Sequence, residues 1–537
     1  MSRRYAYIYI TVVAGAAVVV ALYVALPQRS VSLDEAVPMG RAPRIRPDYG
    51  GVTLPANIAP LNFLVQEPGD QFAATFRSAR GEPFQVVSED AAIVIPRGSW
   101  RRLLEANRGE DLVIQIGVKA HDGRWTVFSP LACRIAHEPI DPYLVYRLMK
   151  PIHNKYANLG IYQRHLEGYG ESVVVKNTQF NRGCVNCHTF CVNDASRMLL
   201  QIRSTYGACM LVAHDGQVAR VNTKTALSKS AAAYSSWHPS GRLIAFSLNT
   251  LSQFFHTVGE NRDVFDADSD LGVYLLDSNT VTTCDAICQP DRNETWPAWS
   301  ADGRHLYFSA APKMPKARYR DIRYDLMRIG YDPDSGKWTT LETLVAAKAS
   351  GRSALEPRPS PDGRWLLFCM SDYGSFPIYQ PSCDLYLMDL ATGTYRPLEC
   401  NSARSDSYHS WSSNSRWIVF SSKRRDGIFA RPFFSHIDAD GKSHKPFVLP
   451  QRDPRLYESL VKTYNAPELT AGPVPVSRRE WGRLVCDPGP DESLKAALDP
   501  AVTPRRRVET PDAEPPWKRA GQPTPDQPPG TRTHRGG

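Results

Sequence analysis

The chain has 537 residues, more than one hydrophobic core usually supports, so at least two domains are expected. Its 42% hydrophobic and 22% charged residues are the composition of a globular protein and exclude a chain that is disordered throughout. The formal net charge of +9 gives no support for a nucleic-acid partner, because part of it lies in the last stretch, from Pro504 to Gly537.

The N-terminus predicts a membrane anchor. From Tyr5 to Leu26 no residue is charged, and Arg3 and Arg4 precede this run. A spanning helix needs about 20 apolar residues, and flanking positive charge stays on the cytoplasmic side. We therefore expect a cytoplasmic end at 1–4 and a single-pass anchor at 5–26 in a bacterial inner membrane, with the main domains in the periplasm. The alternative is a cleaved signal and a soluble periplasmic protein, although no small-x-small cleavage site is evident.

Three segments precede the repeats. Residues 27–50 contain Pro and Arg without periodicity and predict a linker. Between 51 and 138, short β-rich runs alternate with turn signals such as EPGD and HDGR, which predicts a small β-sandwich. Residues 139–191 have few turn signals and many large apolar residues, so we expect a partly helical connector between two domains.

A repeated unit then begins. WHPSGRLIAFS starts at Trp237, WSADGRHLYFS at Trp299, PSPDGRWLLFC at Pro359 and WSSNSRWIVFS at Trp411. Each unit has Trp or Pro, a polar turn, an Arg and an alternating strand, and a weaker copy starts at Val192. Such a period predicts a β-propeller over residues 192–450, because a non-repeating sandwich does not explain the matched units.

These units resemble the WD40-like repeats of the TolB family of periplasmic β-propellers. The likeness covers roughly residues 190–450, and PSPDGRWLLF is the best match. The resemblance implies six blades, the last one completed by strands from before the Cys-rich motif or after Pro450. TolB also has an α/β amino-terminal domain, whereas the preceding domain here reads as all-β. Residues 451–487 are expected to pack on the propeller, and the Pro- and Arg-rich residues 488–537 to be disordered.

The stretch FNRGCVNCHTFCVND carries the strongest chemical signal. Cys184, Cys187 and His188 form Cys-x-x-Cys-His, the attachment signature of c-type haem. Two thiols at this spacing bond the two vinyl groups of one porphyrin, and the next histidine supplies an axial nitrogen to the iron. The resemblance to a monohaem cytochrome c covers these five residues alone and implies no cytochrome fold. A disulfide, or a zinc site that also uses Cys191, is the competing interpretation.

Other candidate ligands are less specific. Met198 is the foremost candidate for the sixth haem ligand, although as a residue at the start of a strand it also reads as a core methionine. The acidic run from Glu260 to Asp270 is compatible with calcium, but Asp-rich loops are more often simply solvated.

Together these signals predict a mainly β, membrane-anchored monohaem c-type cytochrome that transfers electrons or docks a redox or envelope protein partner. The chain has no Gly-x-Ser-x-Gly, no phosphate loop and no His-Glu-x-x-His, so an electron carrier or binding protein is favoured over a self-contained enzyme. The alternatives are a propeller oxidoreductase with a second cofactor and a non-catalytic envelope scaffold. No small-molecule substrate can be named.

Overall fold

The computed structural model describes residues 30–150, 159–228, 231–253 and 263–503. Strands dominate this part of the chain, as predicted. It divides into two compact units. The first holds the described residues up to Gly51, Pro60–Ile135 and Gln451–Leu456, and the second holds Val52–Ala59, Ala136–Pro450 and the described residues from Tyr457 onward.

The segment predicted to be a membrane anchor, Tyr5–Leu26, lies outside the described residues. Among the residues that are described, no helix combines the length and the apolar character needed to cross a membrane.

The first part of the chain forms ten strands and one helix. The strands are β1 (Val37–Pro38), β2 (Ile45–Arg46), β3 (Thr53–Leu54), β4 (Phe63–Val65), β5 (Gln71–Arg77), β6 (Phe84–Ser88), β7 (Ala92–Ile93), β8 (Asp111–Lys119), β9 (Trp125–Val127) and β10 (Leu131–Ile135). Strand β3 belongs to the second unit, and the other nine belong to the first. Helix α1 (Arg97–Ala106) buries Trp100, Leu103 and Leu104.

Two sheets form the first unit. In the larger one, β8 pairs antiparallel with β5, β9 and β10. The smaller one has the order β2-β4-β7. The structure differs from the expected linker at 27–50, because β1 pairs with β9 and β2 with β4. Strands this short carry no periodicity, so the sequence did not reveal them.

In the part of the chain that the structure describes, the second unit contains six sheets, each with four antiparallel strands; two of them carry a fifth, parallel edge strand. In each of sheets 1 to 5, the four strands run from the inner to the outer edge in the order in which they occur along the chain. In sheet 6 the order from inner to outer edge is β36-β11-β12-β13. Sheet 6 is built from β11 (Tyr143–Met149), β12 (Gly160–His165), β13 (Glu171–Lys176) and β36 (Thr463–Thr470). Sheet 1 is built from β14 (Cys184–Cys191), β15 (Asp194–Ser204), β16 (Gly207–His214) and β17 (Gln217–Asn222).

The remaining sheets follow the sequence repeats. Sheet 2 consists of β18 (Ala233–Trp237), β19 (Leu243–Ser247), β22 (Leu271–Leu275) and β23 (Thr280–Thr282), and the hairpin β20 (Thr250–Gln253) and β21 (Val264–Asp268) is inserted between β19 and β22. Sheet 3 consists of β24 (Arg292–Trp299), β25 (His305–Pro312), β26 (Asp325–Asp332) and β27 (Lys337–Val345). Sheet 4 consists of β28 (Ser353–Pro359), β29 (Trp365–Ser371), β30 (Asp384–Asp389) and β31 (Tyr395–Pro397), and sheet 5 of β32 (Asp406–Trp411), β33 (Trp417–Ser422), β34 (Arg431–His436) and β35 (Phe447–Val448).

The inner strands close a ring. Strand β14 contacts β18, β18 contacts β24, β24 contacts β28, β28 contacts β32, β32 contacts β36, and β36 contacts β14. The second unit is therefore a six-bladed β-propeller, and the sheets are its blades 1 to 6. Blade 6 joins an inner strand from late in the chain to three strands from before blade 1, so the propeller is closed by pairing between its two ends.

Three segment boundaries differ from those expected. Residues 139–191 are not a partly helical connector, because they supply three strands of blade 6 and the inner strand of blade 1. Residues 451–487 provide β36 and helix α4 (Arg478–Cys486) as well as packing. Residues 488–503, which were expected to be disordered, have a described structure. In it, β37 (Ser493–Lys495) and β38 (Ala497–Leu498) add parallel edge strands to blades 1 and 2. The last residues, 504–537, lie outside the described part.

The remaining helices are short. They are α2 (Ala347–Ser350), α3 (Leu456–Ser459) and the 3₁₀ turns Asn177–Gln179, Asp285–Ile287, Lys316–Asp321, Pro377–Tyr379 and Pro490–Glu492.

The repeated motif forms the hairpin between the first two strands of a blade. In blade 3, the Ser300 hydroxyl donates to the Asp302 carboxylate (2.5 Å), which also accepts from the Arg304 backbone N–H (3.0 Å). Gly303 takes the left-handed conformation that this turn requires (φ 71°). In blade 5 Ser415 adopts the same conformation (φ 59°), so the turn survives the loss of glycine.

Candidate functional site

Every inner strand of the propeller is interrupted by a β-bulge at the same height. By register, the first bulge residues of blades 1 to 6 are Cys187, Tyr234, Trp296, Glu356, Tyr408 and Ala466, and the second are His188, Ser235, Pro297, Pro357, His409 and Pro467. In blades 2 to 6 the first residue has φ between 44° and 56°. Non-glycine residues avoid this conformation, and such strain often marks functional positions.

Three of the first bulge residues lie close together across the ring. The ring centroid of Trp296 lies 3.8 Å from that of Tyr234 and 5.8 Å from that of Tyr408. Blades 3 and 5 are not neighbours in the ring, so Trp296 and Tyr408 meet only because both reach inward. The bulges of blades 2, 3 and 5 therefore direct aromatic side chains toward the propeller axis.

The Cys-x-x-Cys-His motif lies on β14, the inner strand of blade 1. Cys184 is 8% exposed and packs in the hydrophobic core shared by blades 1 and 6. Cys187 and His188 form the bulge opposite Leu200. The side chain of Cys187 lies outside the described part of the structure. The motif thus begins in the core between blades 1 and 6 and ends at the bulge of its strand.

His188 is the most unusual polar group in the motif. Its side chain is buried, and neither Nδ1 nor Nε2 makes a hydrogen bond of normal length and angle. Burial, together with the nearby Arg147 guanidinium, lowers the pKa of His188 to about 3, although a contact with the Val145 backbone acts in the opposite direction. The imidazole is therefore neutral and offers an unused nitrogen lone pair, which suits coordination of a metal. This donor set fits the axial role that c-type haem requires.

Charged groups from other blades surround His188. The Arg147 guanidinium, on β11, donates to the Asn186 side chain and to Asn465 Oδ1, the latter at 2.8 Å. Glu468, on β36, accepts from the Thr189 hydroxyl at 3.2 Å and lies 3.9 Å from the Arg358 guanidinium of blade 4. Burial raises the pKa of Glu468 to about 7. The environment of the motif is thus assembled from three blades.

Met198 lies on β15, directly opposite Phe190 in the register of blade 1. Its side chain is fully buried in the same core as Cys184. This is the core position that its strand pattern also indicated, and its role as sixth ligand remains a prediction. Cys191 lies elsewhere, in the core between blades 1 and 2, and its thiol donates to the His238 carbonyl (3.5 Å).

The acidic run from Glu260 to Asp270 is described from Asp263 onward. Three of its carboxylates have protein partners: Asp263 accepts from the Tyr373 hydroxyl (2.7 Å), Asp266 from Asn249 Nδ2 (2.6 Å), and Asp268 lies 2.6 Å from Lys313 Nζ. Calcium binding here remains a prediction. Of these partners only Lys313 is charged, so Asp268 is neutralised by an ion pair, whereas Asp263 and Asp266 accept hydrogen bonds from neutral groups.

Sequence reasoning singled out the Cys-x-x-Cys-His motif but not Arg147, Arg358 and Glu468. Each lies on a strand far along the chain from the motif, and only closure of the ring brings them close. A sequence signal does exist for Arg358 and Glu468, because Pro357 and Pro467 directly precede them within strand-like runs. Proline inside a strand marks a bulge.

No family model matches the chain, and no curated protein matches it. Solved structures with a similar fold exist at low identity. A protein assigned as TolB from Agrobacterium tumefaciens is 16% identical, with 58% of this chain and 89% of that chain covered at a TM-score of 0.33.

Two further structures give values of the same size. The nidogen/laminin complex is 10% identical, with 62% of this chain and 100% of that chain covered at a TM-score of 0.36. Kuenenia stuttgartiensis hydrazine synthase is 13% identical, with 49% and 65% covered at a TM-score of 0.30. All three scores are below 0.5, so the assignment of the propeller fold rests on the strand pairing of the chain itself.

Proposed function

We propose that this chain is a membrane-anchored, monohaem c-type electron carrier of the bacterial cell envelope, with its two described units in the periplasm. The observation that carries the proposal is His188: the histidine of a Cys-x-x-Cys-His motif is buried with both ring nitrogens unpartnered. A buried polar group normally finds a hydrogen-bond partner, so an imidazole without one calls for another kind of ligand.

The residues that would hold haem c are Cys184 and Cys187, through thioether bonds, and His188, through an axial nitrogen. When bound, the group supplies reversible one-electron exchange between ferric and ferrous iron. The chain contributes a neutral imidazole, because burial and the Arg147 guanidinium both oppose its protonation. It also contributes a frame, since Cys184, Val185 and Asn186 pair with β15 and the bulge follows directly.

The partner is proposed to be a redox or envelope protein, because propellers more often bind than catalyse. The N-terminal run Tyr5–Leu26 supports attachment to the membrane, since its length and lack of charge suit a spanning helix.

The test is a reduced-minus-oxidised visible spectrum of the full-length chain, exported from a bacterial host that has the c-type haem maturation system. We expect a covalent haem spectrum, retained after denaturing extraction with acid and organic solvent. Cys184→Ala and Cys187→Ala should each change or abolish it. Cys400→Ala is the matched control, since Cys400 is equally buried but lies outside the motif. A haem-free protein under these conditions would overturn the proposal.

A further inference from the structure

A second group of potential metal ligands lies buried between blades 4 and 5. Glu356 is the first bulge residue of β28, Cys369 lies on the neighbouring strand β29, and His409 is the second bulge residue of β32. One ligand atom from each lies within 4.8 Å of the other two. No other group of this kind occurs in the part of the chain that the structure describes.

The distances within this group approach those of a coordination sphere. His409 Nδ1 lies 4.0 Å from Glu356 Oε2, and Cys369 Sγ lies 3.7 Å from the same oxygen. A tetrahedral zinc ion with bonds of about 2.0 Å to nitrogen and oxygen and about 2.3 Å to sulfur separates its ligands by roughly 3.3 to 3.7 Å. Small side-chain adjustments bring all three atoms to that spacing.

The unused atoms point to a ligand. Glu356 and His409 have side chains that are 4% and 0% exposed, yet Glu356 Oε1 and His409 Nδ1 have no hydrogen-bond partner. Leaving either buried atom unsatisfied costs about 1 to 3 kcal/mol. Two such atoms on side chains of one small group indicate that something else binds there.

Hydrogen bonds around the group fix the protonation of the His409 imidazole and the orientation of the Glu356 carboxylate. His409 Nε2 lies 3.3 Å from the Leu367 carbonyl, and because a carbonyl only accepts, Nε2 carries the proton and Nδ1 is left with its lone pair. The Tyr408 backbone N–H donates to Glu356 Oε2 at 2.8 Å and orients the carboxylate. A histidine that donates its other N–H to a backbone carbonyl is the usual second-shell arrangement of metal sites.

The geometry points to a zinc site formed by Glu356, Cys369 and His409 between blades 4 and 5. Thiolate, imidazole and carboxylate together suit zinc, whereas calcium and magnesium take oxygen ligands alone. Three protein ligands leave a fourth position for water, the pattern of a zinc ion that can take a further ligand. The site shares no ligand with Cys184, Cys187 and His188, so it stands whether or not haem binds.

The test uses the full-length chain, purified from membranes in detergent and dialysed against zinc and then against metal-free buffer. Elemental mass spectrometry should give about one zinc per chain. Cys369→Ser and His409→Ala should each lower zinc to below a fifth of that value, whereas Cys400→Ser, another fully buried cysteine, should retain it. Zinc that remains in both ligand variants, or zinc absent from the parent protein, would overturn the site.

Two further measurements distinguish loss of the metal site from loss of folding in these variants. Cobalt added to the metal-free parent should produce a thiolate-to-cobalt absorption band near the ultraviolet edge, and this band should be absent from Cys369→Ser. Zinc should raise the thermal midpoint of the parent but not that of Glu356→Gln, a variant of nearly unchanged shape. A disulfide between Cys369 and the neighbouring Cys383, found by peptide mapping, would contradict the site, because it would consume the thiolate ligand.

Discussion

His188 and His409 occupy the same position in two different blades: each is the second residue of the inner-strand bulge, and each is buried. Burial lowers the pKa of both to about 3. The other four blades have serine or proline at this position. The propeller thus places two neutral imidazoles at one height around its axis, one within the haem motif and one within the proposed zinc site.

The first prediction separates haem-free from haem-bearing protein. In a Cys184→Ala/Cys187→Ala background, His188→Leu should raise the free energy of unfolding by about 1 kcal/mol, because it removes a buried imidazole without partners. In the haem-bearing parent the same change should lower stability, since the axial bond is lost. Urea unfolding followed by fluorescence measures both.

The matched control is His238→Leu. His238 is buried as well, but Nδ1 pairs with the Ser240 hydroxyl (2.8 Å) and Nε2 with the Gly303 carbonyl (3.1 Å). This substitution should cost about 1 to 2 kcal/mol in either background. Equal losses for the two histidines in haem-free protein would contradict the assignment of His188 as an unpartnered group.

The second prediction concerns pH and the first unit. The Arg41 guanidinium binds both Glu67 carboxylate oxygens, at 2.8 and 2.7 Å, and holds the pKa of Glu67 at about 2. The folded pKa is below the unfolded one, so this stabilisation is complete above about pH 4.5 and is lost as the pH falls through about 2. Because Arg41 is largely exposed, we expect a contribution of about 1 kcal/mol.

The check is acid unfolding of the parent and of Glu67→Gln. At pH 7 the variant should be less stable by about that amount, and the difference between the two proteins should shrink between pH 4.5 and 2. A difference that stays constant over this range would show that the ion pair does not stabilise the unit.

The third prediction compares two turn glycines in equivalent hairpins. Gly303 and Gly363 have φ of 71° and 72°, so alanine at either position should cost about 1 kcal/mol. At Gly363 the nearest atom to an added methyl group is 4.0 Å away, whereas at Gly303 the methyl group would collide with the His238 ring. We therefore expect Gly303→Ala to cost about 2 kcal/mol more than Gly363→Ala. Thermal unfolding of the two variants side by side measures the difference.

The fourth prediction tests whether helix α4 belongs to the propeller core. Trp481 is fully buried and packs in the core shared by blades 1 and 6. Trp481→Ala should destabilise the protein by about 3 to 5 kcal/mol, as expected when a large buried side chain is removed. Ser477→Ala, which removes the hydroxyl that caps the helix at Glu480 N (3.1 Å), should cost only about 1 kcal/mol. Near-equal, small effects would mean that the helix packs loosely.

The sequence predicted the blades that carry the turn motif, because a turn with defined chemistry followed by an alternating strand is a local signal. It gave the sixth blade only as strands from before the Cys-rich motif or after Pro450 and did not assign them, since β11, β12 and β13 lack the turn motif and their inner partner β36 lies about 300 residues further along the chain. The haem motif was visible for the same reason as the blades: its spacing is local. Arg358, Glu468 and the group around Glu356 were not, because cross-blade proximity depends on closure of the ring.

Closure of the propeller by β36 also sets the order in which its core is completed during synthesis. Strand β11 is made early, but its inner partner, Thr463–Thr470, is among the last parts of the propeller to leave the ribosome or to cross a membrane. Until the residues that follow it arrive, the core around Cys184 also lacks Val474 and the buried side chains Trp481, Leu484 and Val485 of helix α4. The core around the motif is therefore completed last, by a helix that begins about 290 residues after Cys184.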